Sequence, residues 1–210
     1  MAKHKPYQID RSKFLTMDQV QTLLKTCDDL KILDLHHGRS TWIVRSMLVG
    51  LALRSGLRVS EIANLKHGDI HISSNDSYLT VQKGKGGKRR DVYFNGALSK
   101  QLKEFINIKQ KSWGMSVTPQ DYLFAHGRNG KKKYTATGLY LSFKKALKKV
   151  GLQNHTIHHA RHTFATLTLR DSGNLRFTQK QLGHSSIAMT SLYADILPQD
   201  NARLAGQLTI

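Results

Sequence analysis

The stretch TWIVRSMLVGLALRSGLRVSEIANLKHGDIHISSNDSYLTVQKGKGGKRRDVYF, residues 41–94, changes its hydrophobic period halfway along, and that change decides the fold class. From Thr41 to Arg54 the chain is apolar nearly all round, which predicts a central buried helix stopped by Gly56. A short helix carrying Val59, Ile62, Ala63 and Leu65 follows. Asp69–Ile72, Tyr78–Gln82 and Asp91–Phe94 are then short β-rich runs, separated by the turn-like segments SSND and KGKGGKRR. The pattern predicts a small three-stranded antiparallel sheet inserted among helices.

Helical periods return on both sides. Upstream, Thr16 with Gln19 forms a capping-box pattern, and Val20, Leu23, Leu24 and Cys27 place one apolar face on a helix from Met17 to about Leu30. Downstream, Leu98, Leu102, Phe105 and Ile106 mark one helix. Leu139, Phe143, Ala146, Leu147 and Val150 mark another, stopped by Gly151. Further helices are expected over His159–Arg170, Leu175–Leu182 and Ile187–Ala194. With no internal repeat and no low-complexity linker, the expected class is a mostly helical α+β single domain.

The 210 residues are 39% hydrophobic, enough for a real core. Against 14 Asp and Glu stand 33 Lys and Arg, a formal charge of +19 that points to a polyanionic partner, most often nucleic acid. The single cysteine, Cys27, excludes an intrachain disulfide and favours a cytoplasmic, DNA-associated location. Its place in the helical pattern fits a small buried apolar residue. The longest apolar run, Trp42 to Leu53, contains Arg45 and is too short to span a bilayer. The basic start, MAKHKPYQIDRSK, has no apolar signal core after it and reads as an arm.

Candidate chemistry lies in two C-terminal stretches and one upstream residue. HTIHHARHTFAT, residues 155–166, sets His158 three residues before Arg161, one face of a helix. The bare spacing is weak, because His36 and Arg39 repeat it in a Gly-containing loop; the continuation HTFAT, which opens an amphipathic helix, distinguishes the second pair. His155, His159 and His162 fit helix-start or packing roles. QLGHSSIAMTSLYAD, residues 181–195, puts Tyr193 nine residues after His184, with Gly183 free to turn the backbone sharply. Far upstream, SGLRVSE carries Arg58, with Glu61 one helical turn later to pair with it. Two guanidinium forks can hold both non-bridging oxygens of a phosphate as it becomes pentavalent. A phenol is a poor nucleophile near neutrality, and these cations and imidazoles supply the charge or base it needs. Residues 83–90 contain five cations in eight, either a solvated hairpin tip or a finger into a DNA groove; the P-loop spacing is absent.

These motifs together resemble the catalytic domain of the tyrosine recombinase (phage integrase) family, in the family's order and over nearly the whole chain from Phe14 to Tyr193. SGLRVSE is similar to the box around its first catalytic arginine, which implies that role for Arg58 and a supporting one for Glu61. GKGGKRRDV resembles its β-hairpin, whose lysine after the first glycine is the general acid, and so maps to Lys85. HHARHTFAT is similar to HxLRHTFAT and maps to His158 and Arg161, and LGHSSIAMTSLYA resembles the closing box, with His184 and the nucleophile Tyr193. Ala160 and Asp195 depart from the usual leucine and histidine, and the Gly173–His184 interval is about one residue tighter than usual.

The resemblance implies a site-specific recombinase or integrase that cuts and rejoins double-stranded DNA through a 3′-phosphotyrosyl link, without cofactor or metal. Lys83, Lys88, Arg89 and Arg90 then read as DNA-binding residues. It also implies a homo-oligomer, a tetrameric synapse, on DNA, and leaves a monomer open in solution. The chain divides into a basic arm (1–13), a catalytic domain (14–196) and a tail (197–210) of the kind that in the family often packs on a neighbouring subunit. Most members carry a separate DNA-clamping domain; the opening Met favours a naturally minimal recombinase. A type IB-like topoisomerase or DNA-end resolvase shares the same chemistry, and a non-catalytic DNA-binding regulator is the alternative of another class.

Overall fold

The structure, a computed structural model, describes residues 11–82, 89–115, 117–126 and 132–194. A 3₁₀ turn at Arg11–Lys13 leads into α1 (Met17–His36), α2 (Thr41–Ser55) and α3 (Val59–Asn64). Strands β1 (Ile70–His71), β2 (Tyr78–Val81) and β3 (Arg90–Tyr93) follow, then α4 (Gly96–Asn107). A two-stranded ribbon, β4 (Ala125–His126) and β5 (Lys132–Lys133), precedes α5 (Ala136–Lys149), α6 (Ile157–Ser172), α7 (Leu175–Leu182) and α8 (Ala188–Ser191). This is the expected mostly helical α+β architecture, with the sheet order β1-β2-β3 antiparallel throughout.

The capping box forms as expected. Thr16 Oγ1 accepts from the Gln19 N–H at 3.3 Å, and the Thr16 N–H donates to Gln19 Oε1 at 2.9 Å. α1 runs six residues beyond the expected end at Leu30, however. No breaker intervenes before Gly38 (φ 65°), and the extra turns carry Asp34 into the interior. There it accepts from the Trp42 N–H at 2.7 Å in the first turn of α2 and from Arg39 Nε at 2.9 Å. The extension ties α1 to the start of the central helix, satisfying a donor that the helix itself cannot.

α2 is buried on every side and packs against α1, α4, α5 and α6. It ends at Gly56 in the left-handed region (φ 59°), where a Cβ would come within 2.3 Å of Phe164 Cδ1 on α6. Only glycine permits that approach. Leu79 and Val92, paired across β2 and β3, close one end of the core. Cys27, on α1, is buried as expected, and burial pushes its thiol up to about 12. A second, smaller core consists of Ala165, Leu169, Leu182 and Tyr193, and packs α6 against the C-terminal elements.

Two details of the C-terminal region correct the sequence reading. α6 begins at Ile157 rather than His159, so His158 lies inside its first turn. The expected helix Ile187–Ala194 is only the single turn Ala188–Ser191, and Tyr193 follows it. Ile187, Ala188 and Met189 are exposed, so little apolar burial drives a longer helix here. The β4–β5 ribbon was not expected. It is two residues per strand, one of them Lys132–Lys133, and such a stretch carries no alternation to read.

Candidate active site

Arg58 is the residue from which α3 starts. Its backbone N–H donates to Glu61 Oε2 at 2.8 Å and its Nη1 to Glu61 Oε1 at 2.9 Å, so one carboxylate caps the helix and holds the guanidinium. Arg90, on β3, donates Nη1 and Nη2 to the two Glu61 oxygens, each at 2.9 Å. Burial would raise the Glu61 pKa, but the bonds and charges of Arg90 and Arg58 outweigh it and hold the carboxyl below its ordinary value. Arg90 Nε also donates to Gln181 O at 3.3 Å, and its Cδ would lie 2.8 Å from any Cβ placed on Gly183. The root of the β2–β3 hairpin, the start of α3 and the end of α7 thus meet at one buried carboxylate.

Arg161, on the buried side of α6, donates Nη1 to Gly56 O at 2.5 Å and Nη2 to Leu182 O at 2.7 Å. The close packing of α6 on Gly56 is what lets it reach the carbonyl end of α2. Burial, then the charges of Arg58 and Arg90, lower its pKa to about 10, which leaves it cationic at neutral pH. The two carbonyls fix the plane of the guanidinium and leave its remaining N–H groups available.

Gly183 stands in the left-handed region (φ 64°) and turns the chain after α7. His184 then places Nδ1 3.0 Å from Thr190 Oγ1, and its ring lies nearly parallel to that of Tyr193, 6.4 Å between centroids. Burial, then the charges of Arg161 and Arg58, lower its pKa to about 4, so the imidazole is neutral near pH 7. Tyr193 is only 2% exposed, its ring embedded in the second core and its Oη 2.8 Å from His162 Nδ1.

Arg58, His158, Arg161, His184 and Tyr193 line one open groove of about 670 Å³, which Lys13 and His162 also enter. Five of the sequence-predicted catalytic residues therefore converge. The sixth, Lys85, lies outside the described residues, as do Lys83 and Lys88. Of the remaining cations expected on the hairpin, Arg89 is exposed, with Nε 4.0 Å from Asp91 Oδ1, whereas Arg90 is the half-buried partner of Glu61 just described. A second groove, about 710 Å³, is bordered by Glu61, Lys66, Gln82 and Tyr122, and among the described residues it presents no comparable nucleophile flanked by paired arginines. Among the described residues no group of three or more His, Cys, Asp or Glu is placed to hold a metal, and no helix is long and apolar enough to cross a membrane.

Sequence reasoning missed three groups. His162, read as packing, touches the Tyr193 hydroxyl, although its spacing of four from His158 on one helix was a usable signal. Thr190 orients His184 and Lys13 enters the groove from the N-terminal turn; neither has a local sequence signature.

The sequence model of the phage integrase family matches residues 13–200. The tyrosine recombinase XerA of Pyrococcus horikoshii is 31% identical over 185 residues, which are 88% of this chain and 57% of the relative. The tyrosine recombinase XerC of Roseiflexus sp. (strain RS-1) is 32% identical over 188 residues, 89% of this chain and 56% of the relative. The chain thus spans little more than half the length of these relatives. The crystal structure of XerA recombinase matches with a TM-score of 0.71 and 27% identity, covering 96% of this chain and 66% of that one. That of the XerH site-specific recombinase bound to palindromic difH substrate, a post-cleavage complex, has a TM-score of 0.71 at 23% identity over 93% of this chain and 52% of that one, a likeness of fold.

Proposed function

The chain belongs to the phage integrase family, and from that premise we propose that it is a tyrosine-type site-specific DNA recombinase. The observation that carries the reading is the convergence of Arg58, Arg161, His158 and His184 on the groove that Tyr193 also lines. Tyr193 Oη attacks the scissile phosphate, forming a 3′-phosphotyrosyl bond while the bond to the 5′ oxygen breaks. Arg58 and Arg161 neutralise the non-bridging oxygens as charge builds up on them. Lys85 gives its proton to the departing 5′ oxygen. The freed 5′-hydroxyl of a second strand then reverses the chemistry on a new partner, and the ester bond energy is conserved. Both guanidiniums are already held, Arg58 by Glu61 and Arg161 by two carbonyls. Little reorganisation then remains for the moment of reaction.

The partner is double-stranded DNA, and the +19 charge gives the sequence-independent part of the affinity. Lys83, Lys88 and Arg89 belong to that field. Exchange between two duplexes calls for a homotetrameric synapse on DNA, within a cytoplasmic, DNA-associated setting, with residues 14–196 as the catalytic unit. The test is single-turnover cleavage of duplexes that span the DNA flanking the protein's own coding sequence. Arg161→Ala should lower cleavage by about 3–4 kcal/mol, the cost of deleting an oxyanion-hole donor, with a much smaller loss of binding. Equal losses in both would reduce the arginine to a ground-state contact. Lys85→Ala should be slow on ordinary DNA and recover on a 5′-bridging phosphorothiolate, whose sulfur leaves without a proton. No recovery would remove Lys85 from the acid role.

A further inference from the structure

We propose that His162, rather than His158, takes the proton from the Tyr193 hydroxyl during attack and returns it during resealing; this rests on the recombinase reading above. His162 Nδ1 lies 2.8 Å from Tyr193 Oη, a direct hydrogen bond to the reacting atom. His184, whose ring stacks on Tyr193, turns its Nδ1 to Thr190 instead. His158 is exposed on the first turn of α6 and lines the same groove, where a phosphate would sit. The helix places His162 one turn further in, at the level of the tyrosine.

For the phenol to donate along this contact the imidazole must be neutral, accept at Nδ1 and carry its hydrogen on Nε2. Burial, followed by the charges of His159, Arg161, His158 and Lys13, lowers the His162 pKa to about 4, which keeps that ring neutral near pH 7. At rest the phenol, ordinarily near pKa 10, keeps its proton and is held as a donor. Two changes on binding DNA reverse the preference. A phosphate anion in the groove favours the imidazolium, and the phenolic oxygen loses basicity as it bonds to phosphorus. The O–H bond then breaks as the O–P bond forms, the proton passes to Nδ1, and the electron pair of the cleaved P–O bond leaves on the 5′ oxygen. In resealing the imidazolium returns the proton to the departing phenolate, as microscopic reversibility demands. His162 lines the open groove, so water can exchange with it between steps.

The experiment measures covalent adduct formation by the 210-residue chain in single turnover. The probe is a pool of singly nicked duplexes covering the DNA that flanks its own coding sequence. His162→Ala and His162→Gln are each tested with tyrosine and with a ring-fluorinated tyrosine at position 193, after thermal melts and DNA-binding measurements confirm folding. Both variants should lose about 100-fold or more with tyrosine, the usual worth of a general base. With the acidified phenol the loss should shrink below about tenfold, because a proton acceptor matters less to a better acid. Glutamine offers a hydrogen-bond acceptor that takes no proton, so near-normal activity of His162→Gln would overturn the proposal in favour of simple orientation. A loss unchanged by fluorination would overturn it too. Should His162→Ala fail to fold, the glutamine variant alone decides. An adduct that persists in Tyr193→Phe would instead strike the underlying nucleophile assignment, and this proposal with it.

Discussion

Replacing Glu61 by glutamine removes the charge that holds two arginines and leaves the shape nearly unchanged. The Glu61 side chain is 5% exposed and its oxygens receive the Arg58 N–H, Arg58 Nη1, Arg90 Nη1 and Arg90 Nη2. Glutamine keeps one acceptor oxygen and turns an amide NH₂ toward guanidinium donors. Breaking a buried pair by removing one partner costs about 3–5 kcal/mol. The arginine side chains are 27% and 13% exposed, so water reaches them in part and the low end, about 3 kcal/mol, applies. For a chain of this size that corresponds to a fall in Tm of about 6–12 °C. The effect carries a pH signature. A carboxyl whose folded pKa is depressed contributes stability that is present above its ordinary value near 4.3 and is lost as pH falls through the folded pKa. The difference between wild type and Glu61→Gln should therefore narrow progressively as the pH falls below about 4 and through the depressed folded pKa. Cleavage by the folded variant should fall while DNA affinity holds, because Arg58 keeps its charge but loses its fixed position. Thermal unfolding with a pH series measures the first, and single-turnover cleavage with binding isotherms the second. A Tm within about 2 °C of wild type, or a difference that does not narrow at all as the pH falls below about 4, would refute the keystone role of this carboxylate.

Other outcomes follow from the same contacts. Lys109 is 2% exposed, donating to Tyr122 O and Leu123 O and lying 3.0 Å from His67 Nε2, so Lys109→Met should destabilise by about 2–3 kcal/mol and leave cleavage per folded molecule unchanged; denaturant unfolding checks it. His67, His162 and His184 all have pKa values lowered to about 4, first by burial, so their imidazole resonances should report neutral rings at pH 6, and stability should decline as pH falls from about 6.5 towards 4. Protonation of these rings above pH 6 would contradict the burial described here. Arg89→Ala should weaken DNA binding uniformly and lower the salt slope by about 1, while Arg90→Ala should mainly lower stability. Equal salt slopes for the two would erase the distinction between the exposed cation and the one held by Glu61.

What was legible in the sequence was what depends on local chemistry. The all-round apolar run of α2, the Thr16–Gln19 box, the glycine stops at Gly56 and Gly183, and the Arg58–Glu61 pair all act within a turn or two of chain. Groups that matter through distant contacts stayed hidden. Arg90 looks like one more cation of a basic hairpin until β3 brings it against Glu61, 29 residues away in sequence. His162 is one of a run of histidines until Tyr193 is folded back onto it from 31 residues downstream. The burial of Tyr193 also depends on Ala165, Leu169 and Leu182, a small core assembled only once α6 and α7 pack together. The extension of α1 to His36 has the same cause, since Asp34 finds its partners in α2 and in the turn before it.

If Tyr193 is the nucleophile and the arginine pair acts on its phosphate, the covalent intermediate carries the DNA on that one residue. Nicked duplexes from the DNA flanking the coding sequence, incubated with the protein and digested to peptides, test it most directly by mass spectrometry. The expected product is a DNA 3′-phosphate joined to the peptide containing Tyr193, with no adduct from Tyr193→Phe at undiminished DNA binding. An adduct on another residue, an adduct surviving in Tyr193→Phe, or tight binding without any adduct across the flanking DNA would contradict it.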